Sequence, residues 1–464
     1  MLDLDEDTIT GGTANNKAEI DPADLTELPI LEDRAQLLRL ATAGSVDDGK
    51  STLVGRLLHD TKSVLSDQLA AVERVSRDRG LDAADLALFT DGLRAEREQG
   101  ITIDVAYRYF TTANRSFVLA DCPGHVQYTR NTVTGASTAD VIVLLVDVRK
   151  GVLEQTRRHL AVAALLRVPE VIVAVNKIDL LDYESEPYKA IETDITAVAD
   201  ELGVESLTVI PVSALAGDNV VTRSPRTDWY DGPSLLELLE TITPRSDTAE
   251  PFRMPVQLVI RPQQASLVPE LVDYRGYGGQ VAAGTVKVGD EVTVLPSGRH
   301  STVVGIDLGA TELQQAVAGQ SVTLRLADEL DISRGDTLLA SDSDAGHAPV
   351  PTKDLDAVAC WLAETPLKPG ARLLLKHGTS EVKTIVSTIA SRKDLNSLAD
   401  VDAETLELND IGRVSLRLAS PIAATDYAES RNGGAFLLLD PVSGNTLAAG
   451  MVSGTGYDDA GSWI

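Results

Sequence analysis

Apolar runs alternate with helical stretches through the first half of the chain, starting at Leu37. The runs read LLRLATA, FVLADC, VIVLLVDV, VIVAVNK and TVIPVSA, and a helical pattern follows several of them, for example after Glu154. Strands that are apolar at nearly every position are typical of a parallel sheet covered by helices on both faces. The pattern therefore predicts an α/β domain, which we place at residues 36–248.

The pattern changes near Pro244. Short segments of alternating polarity follow, separated by turns such as VKVGDE and PSGRH. These features are typical of small antiparallel barrels. The stretch SDSDAGHAPVPTKD at 341–354 divides this region by its Pro, Gly and Asp content. We therefore predict two antiparallel β-barrel domains, at 249–346 and 347–464.

The N-terminal segment, residues 1–35, is predicted to be a poorly ordered tail. Residues 1–33 hold ten acidic side chains and one lysine, with little apolar periodicity. Its first residues, MLDLDEDTITGG, are acidic where a secretory signal would be basic and then apolar. This start predicts a cytoplasmic protein.

Composition narrows the classes of function. The formal net charge of −29 opposes non-specific binding to nucleic acid or to an anionic membrane, since both need a basic surface. No apolar stretch reaches the ~20 residues of a membrane-spanning helix. Cys122 and Cys360 lie too far apart in the sequence to suggest a disulfide framework or a zinc cluster. We expect no nucleic acid partner and no membrane association.

A phosphate-loop pattern follows the first strand and precedes a helix, which is the context that its mechanism requires. Its glycines let backbone N–H groups turn towards phosphate oxygens, Lys50 offers a cation, and Ser51 offers a hydroxyl to Mg²⁺. The residues expected to bind the nucleotide here are Gly44, Ser45, Val46, Asp47, Asp48, Gly49, Lys50, Ser51 and Thr52.

A second motif indicates guanine rather than adenine. Asn176, Lys177 and Asp179 follow the run VIVAV, at the strand end where ligands bind in open parallel sheets. A carboxylate at Asp179 can accept hydrogen bonds from both N1–H and the 2-amino group of guanine, a pair of donors that adenine lacks. After the run TVIPV, backbone N–H groups of Ser213, Ala214 and Leu215 are expected to contact the guanine carbonyl. The predicted ligands are GTP and Mg²⁺.

Two segments between these motifs are expected to respond to the γ-phosphate. Asp121 ends the run FVLADC and is expected to reach Mg²⁺ through water, while Gly124 N–H contacts the phosphate and His125 orients the attacking water. Thr102, in GITID, is expected to be a second hydroxyl ligand of the metal. Cys122 lacks an adjacent base and is interpreted as a packing residue. The predicted catalytic residues are His125, Lys50 and Gly124, and the predicted metal ligands are Ser51, Thr102 and Asp121.

These elements, in this order and with two barrels after them, resemble the translation-factor class of GTPases, the group of elongation factor Tu and elongation factor 1-alpha. The longer stretches resemble the large GTPase subunits of bacterial ATP sulfurylase, the sulfate adenylyltransferase subunit 1 family. The stretches that carry this resemblance are 44–64, 91–110, 124–137, 149–159, 272–298 and 431–451.

The resemblance implies an α/β P-loop GTPase domain followed by two barrels. It also implies that GTP hydrolysis drives the formation of adenosine 5′-phosphosulfate and pyrophosphate from ATP and sulfate, with a separate small catalytic subunit as partner. Since the sulfate–phosphate anhydride is a high-energy product, its formation must be driven. The chain shows no second phosphate-loop pattern, so no fused adenylyl-sulfate kinase is expected. Cys122 and Val126 depart from the family's usual Thr and Glu, and 263–274 is longer than its usual link.

Two alternatives stay open at this point. A translation factor that binds aminoacyl-tRNA would need a basic surface on its barrels, whereas residues 250–464 carry scattered basic residues among many acidic ones. A generic assembly GTPase of the same class is disfavoured by the wording of 44–64 and 91–110.

Overall fold

The computed structural model describes most of the chain. The described residues are 37–63, 66–78, 86–89, 105–124, 129–244, 247–262, 272–341, 349–394 and 399–454. The predicted tail at 1–35 lies outside them, as do parts of the stretches 341–354 and 263–274. Among the described residues, no helix is long and apolar enough to cross a membrane.

A six-stranded sheet forms the centre of the N-terminal domain. Its spatial order is β2-β3-β1-β4-β5-β6. The strands are β1 (Leu37–Gly44), β2 (Ala106–Thr111), β3 (Ser116–Asp121), β4 (Val141–Asp147), β5 (Glu170–Asn176) and β6 (Leu207–Pro211). All neighbouring pairs are parallel except β2–β3, which is antiparallel. The predicted parallel sheet is thus confirmed, with an antiparallel edge strand added.

Helices cover both faces of this sheet. They are α1 (Lys50–Asp60), α2 (Ser66–Asp78), α3 (Thr129–Ala136), α4 (Glu154–Leu165), α5 (Ser185–Glu201) and α6 (Leu235–Thr241), with short 3₁₀ helices at Leu86–Phe89, Ile178–Leu181 and Asp247–Ala249. In α5 the buried residues Tyr188, Ile191, Ile195 and Val198 recur at helical spacing and face the sheet. Helix α6 begins with a capping box, in which Ser234 N donates to Glu237 Oε2 at 2.8 Å.

The first β region is a curled antiparallel sheet in the order β7-β16-β11-β12-β15-β9-β8, with β13 on β12 and a separate β10–β14 pair. Its strands are β7 (Arg253–Pro255), β8 (Leu258–Ile260), β9 (Gly276–Gln280), β10 (Thr285–Lys287), β11 (Glu291–Leu295), β12 (Arg299–Leu308), β13 (Thr311–Leu313), β14 (Gln315–Val317), β15 (Ser321–Leu326) and β16 (Thr337–Ala340). Arg253 N donates to Ala283 O at 3.0 Å, which joins β7 to the segment after β9. Met254, Tyr277 and Ile306 lie in its buried core.

The second β region is a closed barrel. Its strands are β17 (Thr352–Trp361), β18 (Arg372–His377), β19 (Ser380–Lys393), β20 (Asp400–Asp402), β21 (Ile411–Ile422), β22 (Ala435–Leu439) and β23 (Thr446–Gly454), and a short helix, α7, spans Arg431–Gly434. The order β18-β22-β23-β17-β21-β19 closes through the β18–β19 pair. The predicted antiparallel barrel is confirmed here, while the boundaries 249–346 and 347–464 stay predictions.

The closed barrel packs directly on the α/β domain. Cys360, Ile411 and Met451 share one buried apolar cluster with residues of the α/β domain. Tyr427 Oη donates to Leu166 O at 2.9 Å, and Arg431 Nη2 donates to Ser137 O at 2.8 Å. Both bonds end on backbone oxygens just after α3 and α4. The barrel is therefore attached at the C-terminal ends of these two helices.

Candidate nucleotide-binding site

The predicted phosphate loop lies between the end of β1 at Gly44 and the start of α1 at Lys50. Asp47 and Gly49 both adopt a left-handed backbone, with φ of 67° and 95°, so the loop folds tightly against the first turn of α1. The N–H groups of a first helical turn have no partner within the helix and favour an anion. Ser51 and Thr52, on that turn, are half-buried.

Lys50 is buried beneath this loop. Its Nζ donates to Gly44 O at 2.7 Å and to Ser45 O at 2.9 Å, and only 7% of the residue is exposed. Burial lowers the pKa of Lys50, although the charges of Asp121 and Asp48 oppose this. Two of its three N–H groups are used by the loop, so a third can bind a phosphate oxygen.

The loop fits a bound polyphosphate in one further respect. Ser45 Oγ is buried and has no hydrogen-bond partner in the described part of the chain. A buried hydroxyl without a partner is costly unless a ligand or water satisfies it. A phosphate group in the loop would supply acceptors for this hydroxyl and for Lys50.

The predicted γ-phosphate sensor lies directly against the phosphate loop. A Cβ placed on Gly124 would come within 2.5 Å of Lys50 Nζ and 2.6 Å of Gly44 O. Asp121, at the end of β3, is buried, and its Oδ1 accepts a hydrogen bond from Thr42 Oγ1 at 2.7 Å. The neighbouring strands β1 and β3 therefore bring Lys50, Asp121 and Gly124 to one place.

Two other predicted residues of this region, Thr102 and His125, lie outside the described residues, as does Val126. Of the three predicted metal ligands, Ser51 and Asp121 lie in the described part of the chain. Among the described residues, no cluster of three or more His, Cys, Asp or Glu side chains could hold a metal ion. A Mg²⁺ site built from hydroxyls, one carboxylate and phosphate oxygens needs no such cluster.

Cys122 lies in an environment that disfavours a reactive thiolate. Its side chain is fully buried, and a Cβ on Gly135 of α3 would come within 2.4 Å of its Sγ. Burial raises the pKa of the Cys122 thiol, so the thiolate needed of a nucleophile is disfavoured. The geometry agrees with a packing role.

Asn176 joins the guanine motif to two other loops. Its Nδ2 donates to Asp48 O at 2.7 Å, and its Oδ1 accepts from Ala214 N at 2.9 Å. Lys177 adopts a left-handed backbone with φ of 68° and donates from Nζ to Asp47 O. The phosphate loop, the guanine motif and the loop after β6 are thus held together.

The other residues predicted to contact guanine differ in their exposure and hydrogen bonding. Asp179 is half-buried on the 3₁₀ helix Ile178–Leu181. Ser213 is fully buried and Leu215 is 71% exposed. Because the Ala214 N–H donates to Asn176, it is not free for the guanine carbonyl in this structure. Arg56 of α1 also holds this loop, through a bond from Nε to Ala214 O at 3.2 Å.

The segment after β4 contributes charged residues that sequence reasoning missed. Lys150 Nζ lies 3.7 Å from Asp48 Oδ1 and donates to Val46 O at 3.4 Å. Asp48 Oδ2 accepts from Ser45 N at 2.8 Å, and burial raises the pKa of this carboxyl. Lys150 and Asp48 therefore brace the phosphate loop from behind. The signal of Lys150 in the sequence is a pair of basic residues, Arg149 and Lys150, just after the apolar run of β4.

His159 of α4 was also missed as part of the site. It is 2% exposed, hydrogen-bonds the Gly44 backbone, and lies 3.0 Å from Gln155 Nε2 through its own Nε2. Burial lowers the pKa of His159 to about 3, and the Lys50 charge adds to this effect. A neutral imidazole thus packs beneath the phosphate loop.

Two family models and several relatives match most of this chain. A model described as the elongation factor Tu GTP binding domain matches residues 35–246, and a GTP-eEF1A C-terminal domain-like model matches residues 354–453. Sulfate adenylyltransferase subunit 1 of Alteromonas mediterranea is 45% identical over 441 residues, covering 94% of this chain and 91% of that protein. Its counterpart in Aeromonas hydrophila subsp. hydrophila is 47% identical over 419 residues, covering 90% and 86%.

A longer relative also matches. The bifunctional enzyme CysN/CysC of Mycobacterium tuberculosis (strain CDC 1551 / Oshkosh) is 50% identical over 419 residues. The match covers 90% of this chain and 67% of that protein.

The close approach of Gly124 to the phosphate loop generates the first prediction. Gly124→Ala puts a methyl group where Lys50 Nζ and Gly44 O lie, so the lysine must move. We expect the affinity for GTP to fall roughly tenfold or more, because a hydrogen bond to a charged group contributes about 1.5–3 kcal/mol. Isothermal titration calorimetry measures this. Gly278→Ala is the matched control, since its nearest atom would be 3.6 Å away. Equal affinities for the two variants would contradict the prediction.

The burial of His159 generates the second prediction. Its pKa of about 3 in the folded protein lies below the ordinary histidine pKa of 6.5, so protons bind the unfolded state more readily. The stability that the neutral ring contributes is therefore complete above pH 6.5 and is lost as the pH falls from 6.5 towards 3. His159→Gln should flatten the fall of the urea midpoint between pH 7 and 4, whereas the exposed His300→Gln should not. Parallel curves for wild type and His159→Gln would refute this.

Proposed function

The chain belongs to the sulfate adenylyltransferase subunit 1 family, and we propose that it hydrolyses GTP to drive formation of adenosine 5′-phosphosulfate and pyrophosphate from ATP and sulfate. The observation that carries the GTPase part is a pair of hydrogen bonds at Asn176, which donates to Asp48 O and accepts from Ala214 N. These two bonds join the phosphate loop, the guanine motif and the loop after β6 at one edge of the sheet. The sulfate part is supported by relatives of that name, which match up to 94% of this chain.

Different described residues bind the phosphates, the base and the metal ion of GTP. Lys50 and the first turn of α1 bind the β- and γ-phosphates, and the backbone of Gly124 approaches the γ-phosphate. Asp179 accepts from guanine N1–H and the 2-amino group. Ser51 and Asp121 would hold Mg²⁺, and the ion would supply positive charge to neutralise the phosphate oxygens.

Two further roles rest on the sequence pattern. His125, which follows Gly124, orients the attacking water, and Thr102 adds a hydroxyl ligand to the metal. Hydrolysis would release Thr102 and the segment that carries it. These roles extend the described site to the segments on either side of β2 and β3.

The proposed partner is the small catalytic subunit that performs adenylyl transfer. The relatives' name, subunit 1, implies a second subunit, and the described site of this chain accounts for a guanine nucleotide. The net charge of −29 agrees with a protein partner rather than nucleic acid. The chain would then supply the driving force and its partner the chemistry on sulfate.

Reconstitution tests the proposal. The full chain is combined with a small sulfurylase subunit, and adenosine 5′-phosphosulfate is measured with ATP and sulfate, with and without GTP. We expect GTP to stimulate product formation. His125→Ala should bind GTP with near wild-type affinity, lose most GTP turnover and lose the stimulation with it, because water positioning contributes about 10²–10⁴-fold to such reactions.

Three results would each contradict a different part of the proposal. GTP hydrolysis without any GTP-stimulated product would leave a GTPase with another client. Full turnover by His125→Ala would place water positioning elsewhere. Tight GTP-dependent binding of aminoacyl-tRNA in a filter assay would favour the translation-factor alternative.

A further inference from the structure

Asp147 ends β4 beside the guanine motif. In the sheet it pairs in register with Asn176, and Val148 N donates to Asn176 O at 3.0 Å. Its side chain is completely buried. A carboxylate with no exposure at this edge of the sheet requires partners that compensate its charge.

Two basic residues supply that compensation. Asp147 Oδ1 accepts from Arg149 N and Nε, both at 3.0 Å, and Oδ2 accepts from Arg149 Nη2 at 2.6 Å. Lys177 Nζ lies 3.0 Å from the same Oδ2. Burial alone would raise the pKa of Asp147, but the hydrogen bonds from Arg149 and Lys177 hold this pKa well below its ordinary value. The residue is therefore an anion.

Lys177 is the side chain that this anion restrains. Its Nζ also donates to Asp47 O, so the lysine spans from the guanine motif to the phosphate loop. A lysine side chain has four rotatable bonds and loses much entropy when it is held in one conformation. Asp147 fixes the far end of that chain before nucleotide arrives.

Arg149 is the second residue that Asp147 holds. Its side chain is 45% exposed although it makes a two-point contact with the buried carboxylate. The pKa of Arg149 is raised mainly by its hydrogen bond to Asp147 and to a smaller extent by the charge of Asp179. Arg149 is therefore held at the surface beside Asp147.

We propose that Asp147 is a positioning residue for guanine-nucleotide binding, which acts by holding Lys177 between the guanine motif and the phosphate loop. The proposal rests on the GTP-binding part of the proposed function. It assigns to Asp147 an effect on nucleotide affinity and none on the choice of base, since Asp179 and not Asp147 carries the acceptors for guanine. A purely structural ion pair would instead change stability and leave affinity alone.

The test measures GDP and inosine 5′-diphosphate binding to the full chain by isothermal titration calorimetry. Asp147→Asn keeps the shape of the side chain and removes its charge. We expect a loss of about tenfold to a hundredfold in GDP affinity, the range for a hydrogen bond to a charged group. The ratio of GDP to inosine diphosphate affinity should stay at its wild-type value, because the missing 2-amino group is sensed by Asp179. Glu186→Gln is the control, an acid-to-amide change in the exposed Glu186–Lys189 pair, and should match wild type.

A double-mutant cycle shows whether the effect passes through Lys177. In the Lys177→Met background, Asp147→Asn should cost little further affinity, because the lysine that it positions is gone. Thermal unfolding without nucleotide is recorded for each variant. If Asp147→Asn does not fold, the cycle uses Asp147→Glu, which keeps the charge but displaces it and should show a smaller loss of affinity.

Each other outcome overturns the inference. GDP affinity of folded Asp147→Asn within twofold of wild type would show that the pair is structural. An additive loss in the Lys177→Met background would show that Asp147 does not act through the lysine. Failure of the wild-type chain to bind GDP at all would refute the proposed function itself, and so is distinct from these results.

Discussion

The nucleotide site depends on two hydrogen bonds of the Asn176 side chain. With one amide it donates to the carbonyl of Asp48 in the phosphate loop and accepts from the N–H of Ala214 in the loop after β6. The residue is 2% exposed, so both bonds lie in a region of low dielectric, where losing either partner leaves a buried polar group unsatisfied. Three loops from distant parts of the sequence are thereby held in one arrangement.

Charge is distributed around this amide in a way that prepares for a polyanion. Lys50 and Lys177 are turned towards backbone carbonyls of the phosphate loop, and Lys150 approaches the loop from behind. Asp147 and Asp48 are the buried carboxylates that balance these cations. Carbonyl oxygens and carboxylates thus hold the basic groups in position before a ligand binds. A nucleotide with four negative charges therefore meets donors that need not reorganise. A chain with a net charge of −29 would otherwise repel such a ligand.

The sequence predicted those parts of the fold that depend on local pattern. The apolar runs of β1 and β3–β6 predicted the parallel strands, and strand ends predicted where the motifs meet. The antiparallel edge strand β2 was not predicted, because AYRYFT alternates between exposed positions and positions that are half-buried or buried, unlike the apolar runs of the other strands. The contact of Asp147 with Lys177 was not predicted, because it depends on the register of β4 against β5. The contacts of Lys150 with the phosphate loop were not predicted either, because they depend on the pairing of β4 with β1 and not on any short motif. His159 lies within a helix whose pattern shows only that it is buried, and nothing local indicates that the phosphate loop lies above it.

The attachment of the closed barrel limits how the site can respond to its ligand. Helix α3 begins five residues after Gly124, and just beyond its C-terminal end Ser137 O and Ala139 O accept hydrogen bonds from Arg431 at 2.8 Å and 3.4 Å. Arg431 in turn lies beside Tyr427, whose hydroxyl holds Leu166 O at the end of α4. A movement of α3 must either break the bonds to Arg431 or carry the loop of the barrel with it. Because close-packed interfaces rearrange between discrete states rather than deform gradually, a shift of α3 that keeps these bonds also moves the barrel segment that carries Arg431.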